Sequence, residues 1–108
     1  MKFGGSNMGN MSSMIKQAQK MQQEMQKIQA DLANEKVEGT AGGGMVTATV
    51  NGQGDLLGVK ISPEVVNPSE VDVLEDLVLA AVREASRKAK ELMQSRMGRL
   101  TGGMNLPF

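Results

Sequence analysis

A chain of 108 residues with zero net charge and no Cys, His, Trp or Tyr excludes a disulfide framework and a thiolate metal site, and leaves few groups for acid–base or nucleophilic catalysis. Its core must be built from Val, Leu, Ala and ten Met, with only two aromatic residues in all, and one domain with so modest a core commonly needs help from oligomerisation. No apolar run approaches the ~18 residues of a membrane span, and the opening MKFGGSNMGNMSS has no apolar signal region, so a cytoplasmic protein is expected.

Residues 1–10 are rich in Gly and Asn without periodicity and are expected to be flexible. Met11, Met14, Ala18, Met21, Met25, Ile28 and Leu32 then alternate at spacings of three and four, a heptad seam that predicts an amphipathic helix over 11–34. Ser12 or Ser13 can cap its start. Met specifies a partner poorly, so this stripe reads either as packing surface or as a groove for varied peptides. Lys16, Lys20 and Lys27 lie off the seam, with Glu24 and Asp31 interspersed: a mixed solvated face, or a row of phosphate contacts.

Three strands are expected at about 36–41, 44–51 and 55–62. In the second, Val46, Ala48 and Val50 alternate with Met45, Thr47 and Thr49; in the third, Leu57, Val59 and Ile61 alternate with Leu56, Gly58 and Lys60. Between them, Asn51-Gly52 supplies residues suited to the positive φ of a tight hairpin. Gly42-Gly43-Gly44 reads as a turn feeding this hairpin, because no Gly-Lys-Ser/Thr follows to make it a phosphate loop. A hairpin is marginal alone, so helices or a second copy of the chain must cover its apolar face.

Ser62-Pro63 ends the third strand, and Asp72 with Glu75 resembles a capping box opening a second helix over about 72–97. Leu74, Leu77, Val78, Leu79, Ala80, Ala81 and Val82 form a block wider than one helical face, which predicts burial on several sides and a second subunit as cover. Beyond Arg83 the helix becomes charged and is expected to project from the body. Arg83, Arg87 and Lys90 form one stripe, while Lys88 and Arg96 flank the apolar face. Residues 63–76 hold five acids and no base, whereas 83–99 hold six bases and two acids; helix-dipole compensation and an anion-binding surface both account for this order. Residues 98–108 read as a flexible Gly-rich tail. No Ser-containing elbow, metal-ligand cluster or dinucleotide fingerprint occurs, so neither catalysis nor a cofactor nor a small-molecule substrate is expected.

The order and spacing of several pieces resemble the bacterial YbaB/EbfC family of nucleoid-associated proteins. They are Met14-Ile15-Lys16-Gln17-Ala18-Gln19-Lys20-Met21-Gln22, Gly44-x-Val46-x-x-x-Val50-Asn51-Gly52, Val59-x-Ile61-x-Pro63, Leu74-Glu75-Asp76-Leu77-Val78-x-Ala80-Ala81 and Met104-x-Leu106-Pro107-Phe108. The resemblance covers nearly the whole chain. It implies an α+β fold, α-β-β-β-α, in an intertwined homodimer with projecting helical arms, bound to double-stranded DNA in the nucleoid. It also implies a role in nucleoid organisation, gene regulation or support of recombination and repair.

The DNA contacts are then expected from the basic arm positions Lys16, Lys20, Lys27, Arg83, Arg87, Lys88, Lys90, Arg96 and Arg99, with Lys88 and Arg96 nearest the inner faces. The dimer interface is expected at Val46, Val50, Leu57, Val59, Leu74, Leu77, Val78 and Ala81. With few Asn or Gln near a groove-reading surface and no stacking aromatics, phosphate contacts of modest sequence preference are expected. The competing expectation is a protein-interaction module that grips a partner helix through the Met seam or the cleft between arms.

Overall fold

A computed structural model describes residues 2–102 of the chain, with side chains for 11–100. Its elements run α1 (Lys2–Asn34), β1 (Lys36–Ala41), β2 (Val46–Asn51), β3 (Leu56–Ile61), a 3-10 turn (Pro63–Val65) and α2 (Val71–Gly102). This is the expected α-β-β-β-α order, with one antiparallel sheet in which β2 lies between β1 and β3.

Alternation in β2 turns Val46, Ala48 and Val50 inward, and all three are fully buried. They meet Ala81, Ala85 and Ala89 of α2, which recur every four residues and so form one small-residue stripe. The smallness has a purpose. A Cβ on Gly39, at the middle of β1, would overlap the backbone nitrogen of Ala85 and the carbonyl oxygen of Ala81, and would lie 2.9 Å from the Ala85 Cα. Strand and helix backbones are therefore in direct contact, and Val37, Ala41, Val65, Leu77, Val78 and Val82 pack around that contact.

Gly42, Gly43 and Gly44 make the β1–β2 turn at φ of 63°, 66° and 92°, closed by a hydrogen bond from the Met45 N–H to the Gly42 carbonyl at 3.3 Å. In the β2–β3 turn the expectation needs correcting. Gly54, not Gly52, has the positive φ there, at 93°. Gly52 is required by crowding instead: a Cβ on it would lie 2.7 Å from the Leu32 carbonyl oxygen. Asn51 ends β2 and organises this turn. Its Oδ1 accepts from the N–H groups of Gln53 and Asp55, and its Nδ2 donates to the Asp55 carboxylate at 3.2 Å.

The helices also exceed their expected limits. Backbone helix begins at Lys2, so Ser12 and Ser13 lie inside α1 rather than at its cap, and residues 2–10 and 98–102 are helical. Asp72 falls in the first turn of α2 rather than ahead of it, where its charge favours the helix N-terminus. Met1 and residues 103–108, including the expected apolar tip, lie outside the described residues.

Strand β3 departs most from expectation. A bulge at Thr49/Val50 places Leu56, not Leu57, opposite Val50, while Val59 and Ile61 stand opposite Ala48 and Val46. Val59 and Ile61 therefore share the core face, yet every residue of β3 is exposed. The cause is the placement of α2 over β1 and β2, which leaves the third strand uncovered.

Candidate nucleic-acid interface

The chain is 82 Å long and 24 × 17 Å across, with a radius of gyration of 22.1 Å, against about 13 Å for a compact domain of this size. The excess length comes from the helices. α1 is joined to the body at its C-terminal end, where Leu32 is buried and its carbonyl accepts from Gly52 N–H at 2.7 Å. Gln53 Nε2 adds a hydrogen bond to the Gln29 carbonyl at 2.9 Å. Above that joint the side chains of residues 11–20 and 22–27 are exposed, so this part of α1 is a projecting arm.

The last turns of α2 run beside the base of the arm. A cleft of about 370 Å³ separates them, lined by Glu24, Lys27, Ile28, Asp31, Arg96, Arg99 and Leu100. At its lower end Arg96 donates to Glu35 at 2.7 Å. Arg96 and Glu35 are both partly exposed, so the pair is worth about 1 kcal/mol or less. Glu35→Ala is accordingly expected to lower stability by no more than that in denaturant titration. A loss of several kcal/mol would mean that this ion pair, rather than Leu32 and Gly52, holds the arm.

The nine basic candidates fall into two groups. Arg87 pairs with Glu91 at 2.7 Å, and Lys88 pairs with Glu84 at 3.2 Å while also donating to the Glu38 carbonyl on β1. Together with Arg96, these three are engaged within the chain, so the two positions expected nearest the inner faces, Lys88 and Arg96, are both committed. Lys16, Lys20, Lys27, Arg83, Lys90 and Arg99 have no ion-pair partner among the described residues. At 3.6 residues per turn, Lys16, Lys20 and Lys27 fall within about 40° of one another on α1. The same arm carries Gln19, Gln22, Gln23 and Gln26 around one shallow depression. Glutamine is thus plentiful beside these lysines, contrary to the sequence expectation.

The expected interface residues also divide. Val46, Val50 and Ala81 are sealed by their own chain and offer no free surface, while Leu77 packs against that core and is half-buried. Leu57, Val59, Leu74 and Val78 remain wholly or partly open. Ile61, Leu74, Glu75, Val78, Leu79 and Val82 line an open groove of about 440 Å³ between β3 and α2. Ile61, Leu79 and Val82 were not among the expected interface positions, although the wide apolar block on α2 already marked the latter two as apolar surface. Among the described residues no helix is long and apolar enough to cross a membrane.

A model of the YbaB/EbfC DNA-binding family matches residues 8–104. The chain is 53% identical over 104 residues to "Nucleoid-associated protein TTE0040" of Caldanaerobacter subterraneus subsp. tengcongensis, covering 96% of this chain and 91% of that protein. It is 50% identical over 98 residues to a nucleoid-associated protein of Alkaliphilus metalliredigens, covering 91% and 86% of the two chains. The crystal structure of the uncharacterized protein HP0035 from Helicobacter pylori superposes with a TM-score of 0.75 at 17% identity, covering 83% of this chain and 95% of that one; this likeness concerns the fold alone. The family and these relatives are described by DNA binding and nucleoid association, not by an enzymatic activity. By this match, over most of its length, the chain belongs to the YbaB/EbfC DNA-binding family.

Proposed function

We propose that the protein works as a non-enzymatic homodimer in the nucleoid. It binds double-stranded DNA mainly through phosphate contacts from the basic residues of its helical arms, and so organises the nucleoid, tunes genes or supports recombination and repair. The observation that carries this reading is the projecting α1 arm, whose Lys16, Lys20 and Lys27 share one exposed face and lack carboxylate partners among the described residues. Arg83, Lys90 and Arg99 add unpaired charge on α2. Arg87, Lys88 and Arg96 join once a phosphate replaces their carboxylates, an exchange of low cost for exposed pairs. The dimer is supported by the apolar groove and by β3, an uncovered edge strand of the kind that otherwise invites uncontrolled pairing. Two arms per dimer compensate for a protein of zero net charge.

The test is a titration against random-sequence duplex DNA at several salt concentrations, with mass measured by light scattering. A dimer is expected, with log affinity falling linearly in log salt. Replacing Lys16, Lys20 and Lys27 by Ala should make that slope shallower by up to about 5, at ~0.9 for each of six lost contacts per dimer. A dimer that fails to bind duplex at low salt would sink this reading. The rival, a helix-gripping module, would then draw on the exposed seam residues Met11, Met14 and Met25.

A further inference from the structure

The row of glutamines on α1 has a chemistry that phosphate binding does not use. Gln19, Gln22, Gln23 and Gln26 stand at i, i+3, i+4 and i+7, which places them on one face of the helix, and they line a single shallow depression. None of the four carboxamides has a hydrogen-bond partner among the described residues. Glu24 and Asp31 lie roughly 130–150° round the helix from the row's centre at 100° per residue, and both line the cleft towards α2. The row therefore faces away from α2 with no acid beside it. Lys16, Lys20 and Lys27 run along one of its flanks.

A carboxamide presents a donor and an acceptor together, which matches the N6 amino group and N7 of adenine in the major groove, and a groove about 12 Å wide admits one α-helix. From Gln19 to Gln26 the helix rises about 10 Å, the height of roughly three base-pair steps at 3.4 Å. With the row on the base edges, the flanking lysines come to the phosphates of one strand. We propose that Gln19, Gln22, Gln23 and Gln26 read adenine in the major groove of duplex DNA. This inference rests on the duplex-binding reading above and adds to it a source of sequence preference.

The experiment compares three duplexes of equal length at one salt concentration: one with A·T pairs at its centre, one with G·C pairs there, and one with 7-deazaadenine in place of each central adenine. 7-Deazaadenine lacks N7 but leaves the minor groove as it was, so it separates base reading from groove width. The expected result is binding about tenfold tighter to the A·T duplex than to either other duplex. In the Gln19→Ala, Gln22→Ala, Gln23→Ala, Gln26→Ala variant that preference should fall to about one, while the salt slope stays as in the parent protein. Alanine is the best helix former, so α1 persists in the variant, and helicity is checked by circular dichroism. Equal parent binding to all three duplexes, or a preference that survives in the variant, overturns the proposal while leaving salt-dependent phosphate binding intact. Absence of any duplex binding overturns both.

Discussion

Gly39→Val is expected to lower the melting temperature by roughly 15 °C at fixed protein concentration. The reason is local and severe. At Gly39 the first side-chain carbon already collides with the backbone of α2 at Ala81 and Ala85, and backbone cannot swing aside as the end of a flexible side chain can. β1 must then lift from α2, opening the contact against which Val46, Ala48 and Val50 are buried. Overpacking of a core costs typically about 1–3 kcal/mol and occasionally more, and backbone-on-backbone overlap belongs at the upper end. Gly39→Ala is the milder companion change: its Cβ alone meets the Ala81 and Ala85 backbone, so it too should lower the melting temperature. A Gly39→Val protein that melts within 3 °C or so of the parent would show that β1 does not seat on α2 as described.

The second large effect concerns assembly. Leu79→Glu is expected to convert the proposed dimer to a monomer at micromolar concentration, seen as a halved mass by light scattering. Leu79 is 47% exposed on the single chain, so a carboxylate there stays hydrated in the monomer and the protomer keeps its fold. In a dimer that fills the groove between β3 and α2, the same carboxylate is stripped of water beside Glu75, another acid lining that groove. An unpaired buried charge costs several kcal/mol, and each 1.4 kcal/mol weakens association tenfold, which gives a loss of about a hundredfold or more. DNA affinity should fall in parallel, with a salt slope near half that of the dimer, because each particle then carries one α1 arm instead of two. An undiminished mass would move the interface away from this groove.

What the sequence disclosed follows from which forces were local. Alternation at Val46, Ala48 and Val50 and the 3–4 repeat from Met11 to Leu32 are periodicities of single elements; a strand and a helix carry them, although the helix begins nine residues before the repeat. Burial of Val46, Val50 and Ala81 by their own chain was not legible, because it depends on which pair of strands α2 crosses. The same tertiary choice stranded β3, whose Val59 and Ile61 have the period of a buried strand and the exposure of an open edge. Gly52 was rightly singled out but for a turn conformation, whereas its constraint comes from Leu32, twenty residues earlier in the chain. Among the basic residues, Lys16, Lys20 and Lys27 stand on the projecting arm, whereas Arg83, Arg87, Lys88 and Lys90 sit on the part of α2 whose Ala85 and Ala89 are buried against the sheet, contrary to the expected projection beyond Arg83. The Lys88–Glu84 and Arg87–Glu91 pairs follow from i,i+4 spacing, but the pairing of Arg96 with Glu35 depends on helix packing that local spacing does not encode.

The seating of Leu32 on Gly52 makes the arm a lever with its bearing at the β2–β3 turn. From Leu32 to Met11 the lever is about 32 Å long at 1.5 Å per residue, so a 10° tilt at the bearing carries its tip about 5 Å, more than one base-pair step. In the proposed dimer, the gap between two such tips follows from how Leu32 seats on Gly52, with the Gln53–Gln29 hydrogen bond beside it.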